Sequence, residues 1–468
     1  MPITVEQTIL LSKAREFWSS EQKRQRAAFN RLQMLRDDYE DLVIQEIREM
    51  FSPDTAGVVS KFINTSPNPF KSVITRISRI YQDSPKRIFT GPEKQVDLME
   101  EYYAQMGINT KMRKVNQYLN AMNEVALQPV YRDGRLDLDV LTPNTVSVRT
   151  NPRNPTVPLA VLINKVRERN PGELRLMPPE KYLTVWTDTD HFNMRNNEIE
   201  PVPGNPNREN PYGVLPFVFM HRVEPEDCFW DETSGDDLFR VTVRAGTRQT
   251  LQDYYFTWNS FKQLVIITEE EVPAGITVSP DKAIHIKGNA ESGDSSAEIL
   301  DFQIRLKELT QDTKEMISTV LDQYGVEMKG FSIQSVNEAS GKSLRIRAAF
   351  LQQLWKDQSP IFRKAEQNLF ELIKKVLQVE TGENFDKLEM DVEFAAPQTY
   401  DDKAEDLEHD TKLIEHDLAD MVEIFMKRNP DYTNYDEARK KVKEIIQGNK
   451  ELRDLADAAI PGDIEGEE

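Results

Sequence analysis

Residues 234–263 read SGDDLFRVTVRAGTRQTLQDYYFTWNSFKQ, with apolar side chains at Leu238, Val241, Ala245, Leu251, Tyr255, Trp258 and Phe261. That spacing predicts one helix with a single apolar stripe, about 40 Å long if helical throughout. Ser234 is a suitable cap, and Asp236 and Asp237 fall in the first turn, where the helix dipole favours negative charge. The period then changes. β-Branched runs at 265–268, 276–278 and 284–286 are divided by Pro273-Ala274-Gly275 and Ser279-Pro280, which predicts a small β-insert over 264–296. Helical spacing returns with Leu300, Ile304, Leu306, Leu309, Met316, Ile317, Val320 and Leu321, and a second long helix is expected from 298 to 324.

Beyond this pair, Gly325 to Ser340 reads as a loop loosened by Gly325 and Gly330, closing at Gly341. Another long helix follows, carrying Leu344, Ala348, Leu351, Trp355, Phe362, Ala365, Leu369, Leu372, Ile373 and Val376. Pro360 lies inside it, removes a backbone donor and crowds the preceding turn, so a kink is expected near Ser359. A short strand at 390–394 and charged helices at about 400–427 and 435–457 complete the chain before the acidic tail 463–468.

Toward the N-terminus, residues 5–50 predict two exposed helices. Pro67 and Pro69 then open a helix whose stripe, Phe70, Val73, Ile74, Ile77, Ile80 and Tyr81, ends at Ser84-Pro85. Helices are expected at 93–105 and 110–125. From Leu127 the period is two, with a turn at Asp133-Gly134, and strands are expected as far as about 220. The Asn-, Asp-, Pro- and Gly-rich stretch 187–212 predicts a long exposed loop, and 213–220 one buried strand.

Composition bounds the function. The 468 residues carry a net charge of −20, the wrong sign for a protein that coats DNA along its whole surface. The single cysteine, Cys228, excludes an intramolecular disulfide framework and a Cys-rich zinc site. The first residues lack a basic region followed by an apolar run, so no signal peptide is expected, and the apolar run 214–220 is far short of a membrane span.

The order of these elements resembles the portal proteins of tailed bacteriophages, which are built from wing, stem, clip and crown regions. Asn68-Pro69-Phe70-Lys71 through Ile80-Tyr81-Gln82-Asp83-Ser84-Pro85 is similar to an early wing helix of that family, and Gly213-Val214-Leu215-Pro216-Phe217-Val218 to the strand before its first stem helix. Val392-Glu393-Phe394, with Pro397, Asp401, Asp402 and Glu405, resembles the entry to the crown. The resemblance implies an α+β, mainly helical portal fold: wing to 232, stem helix 233–263, clip 264–297, stem helix 298–324, tunnel loop 325–341, kinked helix and wing closure 342–396, and crown with acidic tail 397–468. It further implies a non-enzymatic ring of about twelve copies at the portal vertex of a virion capsid, assembled in the host cytoplasm, without cofactor or membrane. Double-stranded DNA would pass through non-specifically. The expected partners are the terminase large subunit, the major capsid and scaffolding proteins, and later the head-tail adaptor.

On this resemblance Lys329, Gln334, Ser335, Asn337 and Lys342 are the candidate DNA-channel residues, the alternative being a loop buried between subunits. Glu269, Glu270 and Glu271 in the clip either meet a basic partner patch or form a solvated acidic turn. Enzymatic signatures are missing. Gly341-Lys342-Ser343 ends like a phosphate-binding loop, but the required first glycine is Val336. No two of His191, His221, His285, His409 and His416 are spaced i, i+4, and there is no Gly-x-Ser-x-Gly elbow. His409 and His416 recur in Glu-His-Asp triplets on one expected helical face. Two other readings fit the charge and helix content: a non-channel scaffold or minor virion protein, and a nucleic-acid-processing enzyme with a carboxylate metal cluster.

Overall fold

The computed structural model describes residues 15–151, 153–166, 181–195, 198–226, 228–230, 236–259, 263–268, 284–287, 296–300, 306–326, 341–396, 410–414, 416, 420–429 and 434–458. Its contacts divide the chain into two units, residues 1–338 with 346–397, and residues 339–345 with 398–468.

In the larger unit, α1 (Arg15–Leu35) and α2 (Glu40–Met50) are not the exposed pair that their charge predicts. Leu32, Met34, Tyr39, Val43 and Ile47 are buried, and the four-residue spacing of the last three gives α2 an inward stripe beneath its charged face. After α3 (Pro53–Val59), α4 (Pro69–Ile77) is capped by Asn68, whose side-chain oxygen accepts from the Lys71 amide at 3.0 Å. This helix stops before Ile80 and Tyr81, although both remain buried. Ser78 ends it by turning its hydroxyl onto the Ile74 carbonyl at 2.6 Å. Helices α5 (Glu93–Met106) and α6 (Ile108–Met122) meet at Gly107, whose φ of +62° requires glycine's freedom.

Strands β2 (Glu124–Arg132) and β3 (Arg135–Leu141) form the predicted hairpin, with positive φ at both Asp133 and Gly134. Strand β9 (Val218–His221) pairs on the other edge of β2. It is shorter than expected, because Gly213 to Phe217 turns instead, with Gly213 at φ +64° and Pro216 lacking an amide to donate. A second sheet runs β4 (Val146–Asn151), β5 (Asn154–Val166), β6 (Lys181–Thr187), β7 (His191–Arg195) and β8 (Glu198–Pro201) in sequential antiparallel order. The predicted loop 187–212 is therefore partly strand. Its apolar face is small but real: Phe192 and Met194 alternate inward against Leu162 and Val185. Strand β1 (Lys86–Thr90) pairs antiparallel with β13 (Glu389–Glu393), a pairing remote in sequence that closes the unit.

One consequence is a pH dependence. His191 opposes Trp186 across the ladder and stacks on it, ring centroids 3.4 Å apart. Burial, then Lys165, lowers its pKa from 6.5 to about 4. The unfolded chain thus takes up a proton below pH 6.5 that the folded chain refuses, so stability is lost as pH falls from 6.5 toward 4. The expected result is that the urea midpoint falls more steeply across this window in the native chain than in His191→Gln; equal slopes would remove His191 from the account.

The remaining elements of this unit are α7 (Asp236–Asn259), β10 (Gln263–Thr268), β11 (Ile284–Lys287), β12 (Ser296–Leu300) and α8 (Leu306–Gln323). The longest helix, α9 (Gly341–Thr381), follows them and has its first residues in the smaller unit. The helix expected from 298 thus begins at Leu306, because Ser296–Leu300 is a strand paired with β10. In the smaller unit, α10 (Met421–Arg428) and α11 (Tyr435–Ala458) form a pair. The continuous helix expected over 400–427 is broken at Asp420. There a reciprocal capping box, Asp420 accepting from the Glu423 amide at 2.7 Å and Glu423 from the Asp420 amide at 3.2 Å, starts a new helix. His416 lies in a turn, and His409 is outside the described residues.

Candidate functional site

The site is an arrangement of long helices and the contacts that root them. Helix α7, with 24 residues, is about 36 Å long. Its first four turns are bolted to the helical core through a threonine row. Thr242 accepts from the Phe70 amide at 3.1 Å and donates to the Leu238 carbonyl, and Thr250 accepts from the Asn64 amide at 3.0 Å and donates to the Gly246 carbonyl. Thr247 donates to Glu46 at 2.8 Å, and the Asn64 side chain donates to Asp253 at 2.7 Å. Between these bolts Gly246 lies flat on α2: a Cβ there would stand 3.0 Å from the Val43 side chain. Arg31 pairs with Asp236 at the helix start. Farther along, Leu251 and Tyr254 still pack against the core, while Phe256 is 64% exposed.

Helix α8 returns beside α7, joined to it by Arg248–Asp312 at 2.6 Å and by Gln252–Thr313 at 3.5 Å, with Leu251, Tyr255 and Leu309 around them. Between the two helices, β10 is the centre of a three-stranded sheet, parallel to β11 and antiparallel to β12. The sequence expected a β-insert here but offered no basis for the parallel pairing. Ile317, Val320 and Leu321 return α8 to the core. Tyr324 donates to Asp237 at 3.0 Å; burial, then Asp237, raises the Tyr324 hydroxyl to about 12, so it remains a donor.

The exit from α8 is a Schellman turn: the Val326 amide donates to Leu321 O and the Gly325 amide to Asp322 O, at 3.0 and 3.1 Å. Gly325 has φ +63° and faces α9 so closely that a Cβ would lie 2.5 Å from the Phe350 ring. Residues 327–340, with the predicted Lys329, Gln334, Ser335 and Asn337, are outside the described residues, as are Glu269, Glu270 and Glu271. Lys342 is the second residue of α9 rather than part of a loop.

Pro360 lies within α9, as the sequence indicates. Two buried polar networks hold the helix on either side of it. Before the proline, the Gln358 amide donates to Asn120 at 2.7 Å and its oxygen accepts from Asn116 at 3.2 Å, while Asn120 donates to Ser78 at 3.0 Å. After it, Glu366 is fully buried and accepts from both Arg87 Nη2 and Nε, at 2.6 and 2.9 Å, and from Tyr81 at 2.7 Å. Burial, then Glu366, keeps the Tyr81 hydroxyl protonated well above its ordinary range. Arg87 also donates to Asn109 at 2.7 Å. Sequence reasoning passed over these residues, although a signal exists: Glu366 interrupts the apolar stripe four residues after Phe362, and Asn116 and Asn120 interrupt that of α6.

Among the described residues no group of three or more His, Cys, Asp or Glu side chains could hold a metal ion, and no helix is long and apolar enough to cross a membrane. Comparison with solved structures finds a chain of the virion of a native gene transfer agent (GTA) particle, at 11% identity and TM-score 0.36, covering 78% of this chain and 90% of that one. A chain of the neck of an empty GTA particle computed with C6 symmetry matches at 11% identity and TM-score 0.36, covering 79% and 91%. No curated protein matches. Residues 30–452 match the family described as phage portal protein, SPP1 Gp6-like, so the α7, β-insert, α8, α9 series lies wholly within the match and the chain belongs to that family of structural phage portal proteins.

Proposed function

We propose that the chain is the ring subunit of a DNA-translocation channel at a unique capsid vertex, docking the packaging terminase during filling and the head-tail adaptor afterwards. The observation that carries this reading is the rooted helix pair: α7 and α8 are anchored in the core at one end and joined through a small sheet beyond the other. Rods held this way can cross a capsid wall and present the sheet outside it. Identical copies related by rotation make head-to-tail contacts that close a ring, expected to hold about twelve subunits. Scaffolding and major capsid proteins would meet its outer surface.

Duplex DNA binds dense Lys/Arg surfaces strongly, because each neutralised phosphate releases counterions. A chain of net charge −20 suits passage rather than capture. Lys329, Gln334, Ser335, Asn337 and Lys342 supply sparse polar contacts to the moving duplex in this reading, and the bend that a proline favours at Pro360 would let α9 follow the channel wall. Glu269, Glu270 and Glu271 face a basic patch on the terminase. Charge pairing of this kind acts mainly on the association rate. The triple change of these residues to lysine is therefore expected to leave ring assembly intact and to slow terminase association about tenfold at low salt. An unchanged rate, measured by surface-immobilised binding of assembled rings, would contradict the docking role of these glutamates.

A further inference from the structure

The sheet β3-β2-β9 ends on β9, a four-residue strand with no neighbour on its outer side among the described residues. Which of its backbone groups face outward follows from the hairpin. The two-residue turn at Asp133-Gly134 makes Arg132 and Arg135 a hydrogen-bonded pair, so the even-numbered residues of β2 bond to β3 and the odd-numbered ones to β9. Two observations agree. The Arg222 amide donates to the Asn123 carbonyl at 2.7 Å, and Pro129, which has no amide, is an odd-numbered residue opposite no part of β9. Val218 and Met220 therefore bond to β2, while Phe219 and His221 turn amide and carbonyl outward. Among the described residues nothing bonds to those outward groups.

That edge borders a groove of about 630 Å³. Six consecutive residues, 217–222, line one wall, whereas the face of a strand would contribute alternate ones. The other wall is one face of α9, from Ile361 through Lys364, Ala365 and Leu372 to Lys375, about 21 Å long. Phe217, Phe229, Ala365 and Leu372 are buried and give the groove an apolar lining, and Lys364 and Lys375 are exposed along it. Val157 and Val223, each adjoining residues of the lining, are 41% and 54% exposed and extend the apolar surface. Among the described residues no acid pairs with Lys364 or Lys375, and Glu371, between them, is held by Lys374 at 2.7 Å. In a chain of net charge −20 the two lysines are left for an acid from outside.

We propose that an extended segment of another protein adds to β9 as a further strand, its apolar side chains entering the groove and its acidic ones meeting Lys364 and Lys375. Main-chain hydrogen bonds to Phe219 and His221 supply affinity, and alternate side chains supply specificity. The lysines stand about 16 Å apart along α9, the span of about five strand residues, so acids at that separation bracket the apolar positions. Because α9 flanks the incoming chain on its far side, the groove admits a lone strand and not the edge of a second sheet. Both walls belong to the larger unit, so the site is complete in one copy and goes beyond the channel reading.

The test selects a displayed library of random peptides on the immobilised full chain and measures the enriched peptides in solution by fluorescence anisotropy. Enriched sequences are expected to alternate apolar with other residues and to carry acids about five residues apart. Their affinity is expected to fall at least about tenfold for the chain carrying Lys364→Glu and Lys375→Glu, both exposed positions, with circular dichroism unchanged. N-methylation of the peptide backbone at alternate residues should abolish binding, and at the residues between them should not, because only one edge of the added strand faces β9. No enrichment, or peptides indifferent to the lysine changes, would overturn the site. Binding that needs the lysines but shows no alternation on N-methylation would overturn the added strand. Enriched sequences that reproduce a segment of this chain would overturn the choice of another protein and make the occupant a second copy.

Discussion

Glu366→Ala is expected to lower the folding free energy by about 3–5 kcal/mol, the cost of leaving one member of a buried ion pair alone. Glu366 has no exposure to solvent and is the shared acceptor for Arg87 and Tyr81. Its loss strands a guanidinium whose other partner is Asn109 and a tyrosine hydroxyl with no other acceptor in that network. The comparison that isolates the cause is the double change Glu366→Met with Arg87→Met. Replacing both charges by apolar groups of similar length is expected to recover most of the loss, because neither then lacks a partner. Urea denaturation followed by circular dichroism reads both. If the double variant were as unstable as Glu366→Ala, shape and not charge would be what holds α9 to the β1 strand.

The second large effect belongs to Gly325. Alanine there must adopt a left-handed backbone, at about 1–2 kcal/mol, and its Cβ would overlap the Phe350 ring, where overpacking costs about 1–3 kcal/mol more. Phe350→Ala in the same chain removes the overlap but not the backbone cost. Gly325→Ala should therefore be strongly coupled to Phe350→Ala in a double-mutant cycle, with partial and never full recovery. Because Gly325 ends α8 and opens the predicted tunnel loop, we expect the packaged DNA per capsid to fall in parallel with stability. A variant of native stability and native packaging would show that the exit from α8 is not set by this turn.

Much of the architecture is legible in the pattern of residues. The stripe beginning at Leu238, the change to β-branched runs at 265 and the return of helical spacing after the insert all reflect local periodicity, and the structure has helix over Asp236–Asn259, a small sheet, and helix over Leu306–Gln323. Local pattern fails where pairing is remote. Nothing near Lys86–Thr90 names Glu389–Glu393 as its partner, and residues 298–300 read as the start of a helix although Ser296–Leu300 is a strand laddered on β10. It fails again where a face is small: Phe192 and Met194 are only two residues in a stretch of turn formers. The polar clamps about Pro360 were visible only as interruptions of apolar stripes, since a buried Glu366 or Asn116 is tolerated by partners that lie more than 200 residues away. The acidic triplet 269–271 and the loop candidates from Lys329 to Asn337 are outside the described residues, so for them the family resemblance carries the reading.

The most direct test of the ring is negative-stain electron microscopy with mass photometry of the full chain at moderate salt. The expected result is closed rings of about a dozen subunits with an axial hole wide enough for duplex DNA. Monomers or small open oligomers alone, persisting after the packaging terminase or scaffolding protein is added, would contradict it.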